Sequence, residues 1–329
     1  MLKRENLKQA LALLSKQATV LVPANTEGAS RFMPFKEDLD LDGMGLINTV
    51  LPPKDYLFSQ TEKLYSFKKD GQRVTVEEAM QADPRIVFGI RPCDVASIGC
   101  LDKVFLTGDF VDSVYKAKRE KFGIIAIGCD KADKTCFCSS MGVEPGEAAL
   151  ADILLYPTAD SWNLAIQSEM GKAMAETMKD ALIDGEEEKL PGAVPELKID
   201  MDGVPEKLSS MFDHPMWDEA WRSCLGCGTC TFVCPTCYCF EMETLTKGNE
   251  GITQRTWDSC MFSEYTRMAG GHNPRPSKKE RVRNRFMHKL SFFKERYGQN
   301  LCVGCGRCLS KCPKSMDIIH IAETAKELK

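Results

Sequence analysis

Histidine is scarce in this chain: four in 329 residues, at positions 214, 272, 288 and 320. They are scattered, and neither a Ser/His/Asp arrangement nor the paired CxxC motifs of a nickel–iron active site is present. No G-x-G-x-x-G follows an apolar run and opens a helix, so the nicotinamide and flavin fingerprint is missing. The glycine pairs 226/228 and 304/306 belong to cysteine loops instead. No stretch approaches the roughly 20 apolar residues of a membrane span. The start, MLKRENLKQALALLSKQ, is basic but lacks a long apolar segment and a small-residue cleavage site, so no signal peptide is expected. Leu7, Leu11 and Leu14 fall there at helical spacing. The net charge of −4 points to no class of partner, and 43% hydrophobic with 27% charged residues is ordinary for a soluble chain of about two domains.

Cysteine is what the chain has in excess, with 16 residues. Without an export signal, that number predicts metal ligation in a reducing cytoplasm rather than disulfides. Two runs share one spacing: Cys224-x-x-Cys227-x-x-Cys230-x-x-x-Cys234-Pro235 and Cys302-x-x-Cys305-x-x-Cys308-x-x-x-Cys312-Pro313. Bacterial-type ferredoxins hold cubane clusters with this spacing, and the fourth cysteine of each run ligates the other cluster. The pattern therefore predicts one [4Fe-4S] set of Cys224, Cys227, Cys230 and Cys312, and a second of Cys302, Cys305, Cys308 and Cys234. Paired CxxC units also suit structural zinc, but zinc has no use for a third cysteine at the same spacing or for the repeated Cys-Pro.

The fold class expected is a mixed α/β domain over residues 1–205, followed by a mainly α-helical, ferredoxin-like two-cluster domain over 206–329. Val20–Val22, Ile86–Ile90, Gly123–Ile127 and Ile153–Tyr156 read as strands, and 56–76 as a hairpin turning at Asp70-Gly71. Helical patterns fall at 95–105 and 166–183. The stretch 184–207, with Pro191, Pro195 and Pro205 in an acidic context, reads as a surface connection. The 67 residues between Cys234 and Cys302 read as a helical insertion.

Cys93 follows IVFGI and Cys129 follows GIIAI, so parallel neighbouring strands bring both to one carboxyl edge. Cys136 and Cys138 leave the second strand, and the four thiols together suggest a third cluster, with Asp94 or Asp130 as an alternative oxygen ligand. The competing reading is that Cys93 and Cys129 simply fill strand ends, as Cys100 fills a helix face. Cys237, Cys239 and Cys260 are left over. They pack beside a cluster and hydrogen-bond to it, or complete an unusual site with His272. Residues 267–296 carry ten Lys/Arg against two Glu, which suits shielding of anionic clusters or docking of an acidic partner better than nucleic acid, since Phe286, Phe292 and Phe293 sit at core-facing spacings.

The segments GIRPCDVASIGCLDKVF, CFCSSMG, CPTCYCF, WDSCMF, MAGGHNPR and CVGCGRCLSKCP resemble the dicluster iron–sulfur beta subunits of cytoplasmic sulfhydrogenases. They resemble equally the iron–sulfur subunit of anaerobic sulfite reductase and the dicluster subunit of flavin oxidoreductases coupled to heterodisulfide reductase. The resemblance runs from about residue 85 to the end. It implies a non-catalytic electron conduit in a hetero-oligomer, linking an FAD- and NAD(P)-binding reductase subunit with a terminal catalytic or further iron–sulfur subunit. It also implies that Cys93, Cys129, Cys136 and Cys138 face the flavin partner. The alternative is a reductase of a sulfur or disulfide substrate that works at the extra cysteines.

Overall fold

The computed structural model describes residues 1–79, 82–185 and 188–328. Its strands, in chain order, are β1 (Leu2–Lys3), β2 (Thr19–Ala24), β3 (Arg31–Pro34), β4 (Thr61–Asp70), β5 (Arg73–Glu78), β6 (Arg85–Ile90), β7 (Phe122–Ile127), β8 (Ile153–Pro157), β9 (Ser161–Ile166), β10 (Phe240–Lys247) and β11 (Glu250–Trp257). The helices are α1 (Leu7–Leu14), α2 (Pro92–Phe105), α3 (Ser113–Arg119), α4 (Glu169–Thr177), α5 (Val204–Ser210), α6 (Met216–Ala220), α7 (Thr229–Phe232), α8 (Lys278–Met287), α9 (Phe293–Tyr297), α10 (Arg307–Ser310) and α11 (Ile318–Glu327).

The apolar runs RIVFGI and FGIIAI become β6 and β7, parallel neighbours in a seven-stranded sheet ordered β1-β9-β8-β7-β6-β2-β3. Strands so uniformly apolar must be covered on both faces. On one face α1 buries Leu7, Leu11 and Leu14 with Met174 and Ala175 of α4, against Val22, Phe88, Ile125 and Leu155. On the other, Val95, Ile98, Leu101 and Phe105 of α2 pack with Tyr115 of α3 against Val87, Ile124 and Leu154. Pro92 sits in the first turn of α2, where a missing N–H costs nothing, and the Asp112 carboxylate accepts from the Tyr115 amide at 2.7 Å to start α3. The parallel strands β6 and β7 thus end at one edge, followed immediately by Cys93 and closely by Cys129.

A second sheet, ordered β10-β11-β4-β5, is antiparallel throughout. The expected hairpin at Asp70-Gly71 is its β4–β5 pair. The helical reading of the 235–301 insertion is corrected here. Residues 240–257 are a hairpin whose β11 pairs with β4, and the first α-helix after it begins at Lys278. The turn between its strands uses Gly248 at φ +61, a conformation that a side chain resists. Buried Arg255 of β11 locks the sheet to the first half of the chain, donating from Nε to Glu62 Oε2 at 2.8 Å and pairing with Asp112.

The stretch 184–207, of which 186 and 187 lie outside the described residues, carries no regular element until Val204. It is not wholly superficial: Ile199 is buried, and the Ala193 amide donates to the Cys129 carbonyl at 2.7 Å. From α5 onward the chain is helical apart from the hairpin. A capping box between Ser277 and Glu280 starts α8, which buries Val282, Phe286 and Met287 with Leu290, Ile318 and Ile321.

Candidate metal centres

Each cysteine run adopts the same local conformation. Gly226 and Gly228 (φ +73 and +75) repeat as Gly304 and Gly306 (φ +64 and +72), and each pair leads into a four-residue helix, α7 or α10, holding the third cysteine. Left-handed glycines turn successive amides to one side without a Cβ in the way, which is how short loops wrap an anionic group.

One hollow is lined by Cys234, Cys302, Cys305 and Cys308, walled by Phe137, Val303 and Ile318. The fourth thiol of the first run therefore lies with the first three of the second. Cys224 and Cys230 pack together in the adjoining core. The loop after Cys312 returns to them: the Met316 amide donates to Cys312 Sγ at 3.2 Å, while Ser223 Oγ lies 3.0 Å from Met316 Sδ. Cys227 is the exposed member, its sulfur 3.3 Å from the Thr229 hydroxyl, a contact that lowers its pKa.

A separate hollow is lined by Cys93, Cys129, Cys136 and Cys138, with Asn48, Pro145, Gly304 and Cys305. Cys305 thus borders both hollows. The two are tightly joined: the Phe137 amide donates to the Gly304 carbonyl at 2.9 Å, and a Cβ on Gly304 would stand 2.5 Å from Cys138 Cα. Asn48 spans the seam, donating to the Cys305 carbonyl at 3.1 Å and accepting from Cys93 at 3.6 Å.

Burial dominates the electrostatics. It pushes Cys129 and Cys305 up to about 12, Cys138 to about 11, and Cys93 and Cys302 well above the ordinary thiol value. Thiols in such surroundings stay neutral until a metal displaces their protons, and four thiolates then need compensating charge. It is present and buried. Lys289 Nζ lies 3.3 Å from Cys234 Sγ and donates to Thr236 at 2.6 Å. Burial opposes the Lys289 ammonium, yet Cys234, Cys237 and Cys302 hold its pKa above normal. Arg285 hydrogen-bonds Cys308. Lys54 donates to the Cys237 carbonyl at 2.8 Å, and its ammonium sits 4.1 Å above the Trp257 ring.

The donor set fits iron–sulfur clusters better than single ions. Among the described residues no three Cys, His, Asp or Glu converge closely enough for one ion, and the thiols instead surround hollows. Asp94 is not free to serve as an oxygen ligand, because Arg307 grips it bidentately at 2.6 and 2.7 Å, with both side chains at most 3% exposed. Asp130 is exposed. His272 is exposed, its carbonyl accepting from the Met268 amide. Cys237 instead hydrogen-bonds Cys234, and Cys239 pairs with Cys260 and Tyr265. Cys100 is buried in α2, as its helix position implied. Asn48, Lys54, Arg307 and Tyr265 carry no motif that sequence reading detects.

These thiol-lined hollows, with glycine turns and buried cations about them, define a dicluster iron–sulfur protein. Residues 223–316 match the family model of a 4Fe-4S dicluster domain. Over 305 residues the chain is 31% identical to the sulfhydrogenase 2 subunit beta of Pyrococcus furiosus, covering 89% of each chain. The chain belongs to that iron–sulfur family of sulfhydrogenase beta subunits. No solved structure matches it. Among the described residues, no helix is long and apolar enough to cross a membrane.

Proposed function

We propose that this chain is an electron-transfer subunit of a hetero-oligomeric oxidoreductase. It carries [4Fe-4S] clusters at Cys224/Cys227/Cys230/Cys312, at Cys302/Cys305/Cys308/Cys234 and, as a third, at Cys93/Cys129/Cys136/Cys138. Residues 1–205 hold the third site and 206–329 the other two. A flavin- and nicotinamide-binding subunit meets the first part, and a terminal catalytic or further iron–sulfur subunit meets the second. When bound, the clusters supply one-electron redox capacity.

The protein's own part is to space the sites, exclude water and balance charge. Glycine-turned amides and the Arg285 and Lys289 cations face the dicluster thiols, while Phe137 and Val303 keep water from the second hollow. The observation that carries the reading is the position of Cys305, on the walls of both hollows, with Asn48 bonded across the seam. A ligand shared between two walls brings the sites close enough to form one conducting line.

Cys305→Ser tests it. The variant should lose or convert one cluster, about four irons, and stop transfer to the terminal acceptor while the partner flavin is still reduced. Unimpaired transfer to that acceptor would contradict the assignment.

A further inference from the structure

Two thiols lie together outside all three proposed ligand sets. Cys239 and Cys260 hydrogen-bond to each other, and the hairpin places them there. Phe240 pairs with Trp257 at its base, and the Asp258 amide donates to the Cys239 carbonyl at 3.0 Å. The strand entering from Cys239 and the one leaving toward Cys260 are therefore clamped side by side. The Cys260 loop is pinned further: Ser259 Oγ accepts from the Met261 amide at 3.1 Å and from Thr231 Oγ1 at 2.8 Å. The two thiols also differ in access, Cys239 being partly exposed and Cys260 buried.

We propose that Cys239 and Cys260 form a thiol–disulfide site that reacts with small disulfides, Cys239 attacking and Cys260 resolving. The Cys239 thiolate attacks one sulfur of the small disulfide, forming a mixed disulfide and expelling the other half as a thiolate. Cys260 then attacks Cys239 Sγ, closing the protein disulfide and releasing the second half, which takes up the Cys260 proton. Two electrons pass from the protein to the small disulfide, whose S–S bond is replaced by Cys239–Cys260. Run backwards, the same exchange lets a small thiol restore the dithiol.

The surroundings suit that division of labour. The hydrogen bond from Cys260 lowers Cys239 to about 6 against the pull of burial, and Tyr265 adds a second bond. Cys260, by the same bond and its burial, is raised and keeps its proton until Cys239 is consumed. A partly exposed thiolate beside a buried protonated thiol is the arrangement of an attacking and a resolving cysteine. Cys237 takes no part, since it already hydrogen-bonds Cys234.

The inference rests on the proposed ligand sets only in leaving these thiols unligated, and one experiment separates the two. Anaerobic holoprotein is incubated with glutathione disulfide, alkylated and mapped by peptide mass spectrometry, with iron, labile sulfide and EPR recorded on the same samples. The expected result is two fewer alkylated cysteines per chain, a Cys239–Cys260 linked peptide that dithiothreitol removes, and unchanged iron. In Cys260→Ser, glutathione should remain as a stable adduct on Cys239, and Cys239→Ser should show no adduct at Cys260. If both thiols in the native protein stay fully alkylated, the site is inert. If iron falls in step with thiol loss, they are cluster ligands. Either result overturns the proposal, while the EPR signals report on the electron-transfer reading independently.

Discussion

Lys289 holds its ammonium buried 3.3 Å from Cys234, a proposed cluster ligand. A cation there stabilises added negative charge. One unit charge a few ångströms away, at an effective dielectric near 20, contributes a few kcal/mol. Lys289→Met should therefore keep the iron content and move one cluster's midpoint negative by about 100 mV. A redox titration followed by EPR checks this, and an unmoved midpoint would show that the charge is balanced elsewhere. Next along the chain, His288 is half-buried, shares a 3.0 Å hydrogen bond with the Tyr238 hydroxyl, and is pushed down to about 4 by desolvation, then by Lys289 and Arg275. The unfolded chain takes up this proton near 6.5 and the folded one only near 4. Stability should thus fall as pH drops through that window, by up to about 1.4 kcal/mol per pH unit. Chemical unfolding at several pH values from the upper part of the window to neutrality should show a shallower slope for His288→Gln than for the native protein. Equal slopes would place the acid sensitivity in another group. Single polar residues of this kind were not legible beforehand, since neither Lys289 nor Arg307 sits in a motif that distinguishes it from a solvated charge. The grouping of the cysteines was more legible, because their spacing brings Cys234 to one hollow with Cys302, Cys305 and Cys308.

Among the elements, β6 and β7 were readable because strands covered on both faces leave an uninterrupted apolar run, and their parallel pairing brings Cys93 and Cys129 to one edge. The β10–β11 hairpin was not. FEMETLTK is almost wholly exposed and charge-rich, and the partner that makes it a sheet, β4, lies some 180 residues earlier in the chain. Local pattern cannot report a pairing so distant. The loop holding Gly304 gives the sharpest test at this scale. Its φ of +64 and the 2.5 Å approach a Cβ would make to Cys138 leave no room for a methyl group. Gly304→Ala should push the 136–138 loop away and cost on the order of 2–3 kcal/mol. It should also lower iron by about four per chain through the amino-terminal site. Native iron together with native thermal stability would mean that the two loops yield without consequence.

In the whole molecule the two thiol-bearing halves share one seam. The dicluster half and its family follow from the sequence match, and the amino-terminal hollow joins that half through Cys305, Asn48 and the Arg307–Asp94 pair. In the proposed reading the thiol sites form one line, its two hollows meeting at Cys305. The central claim is that this line has three stations. Iron and acid-labile sulfide per chain, measured on anaerobically purified protein with reduced-state EPR, test it most directly. The account predicts about twelve irons and three interacting cubane signals. About eight irons, with Cys93, Cys129, Cys136 and Cys138 all open to alkylation, would contradict it.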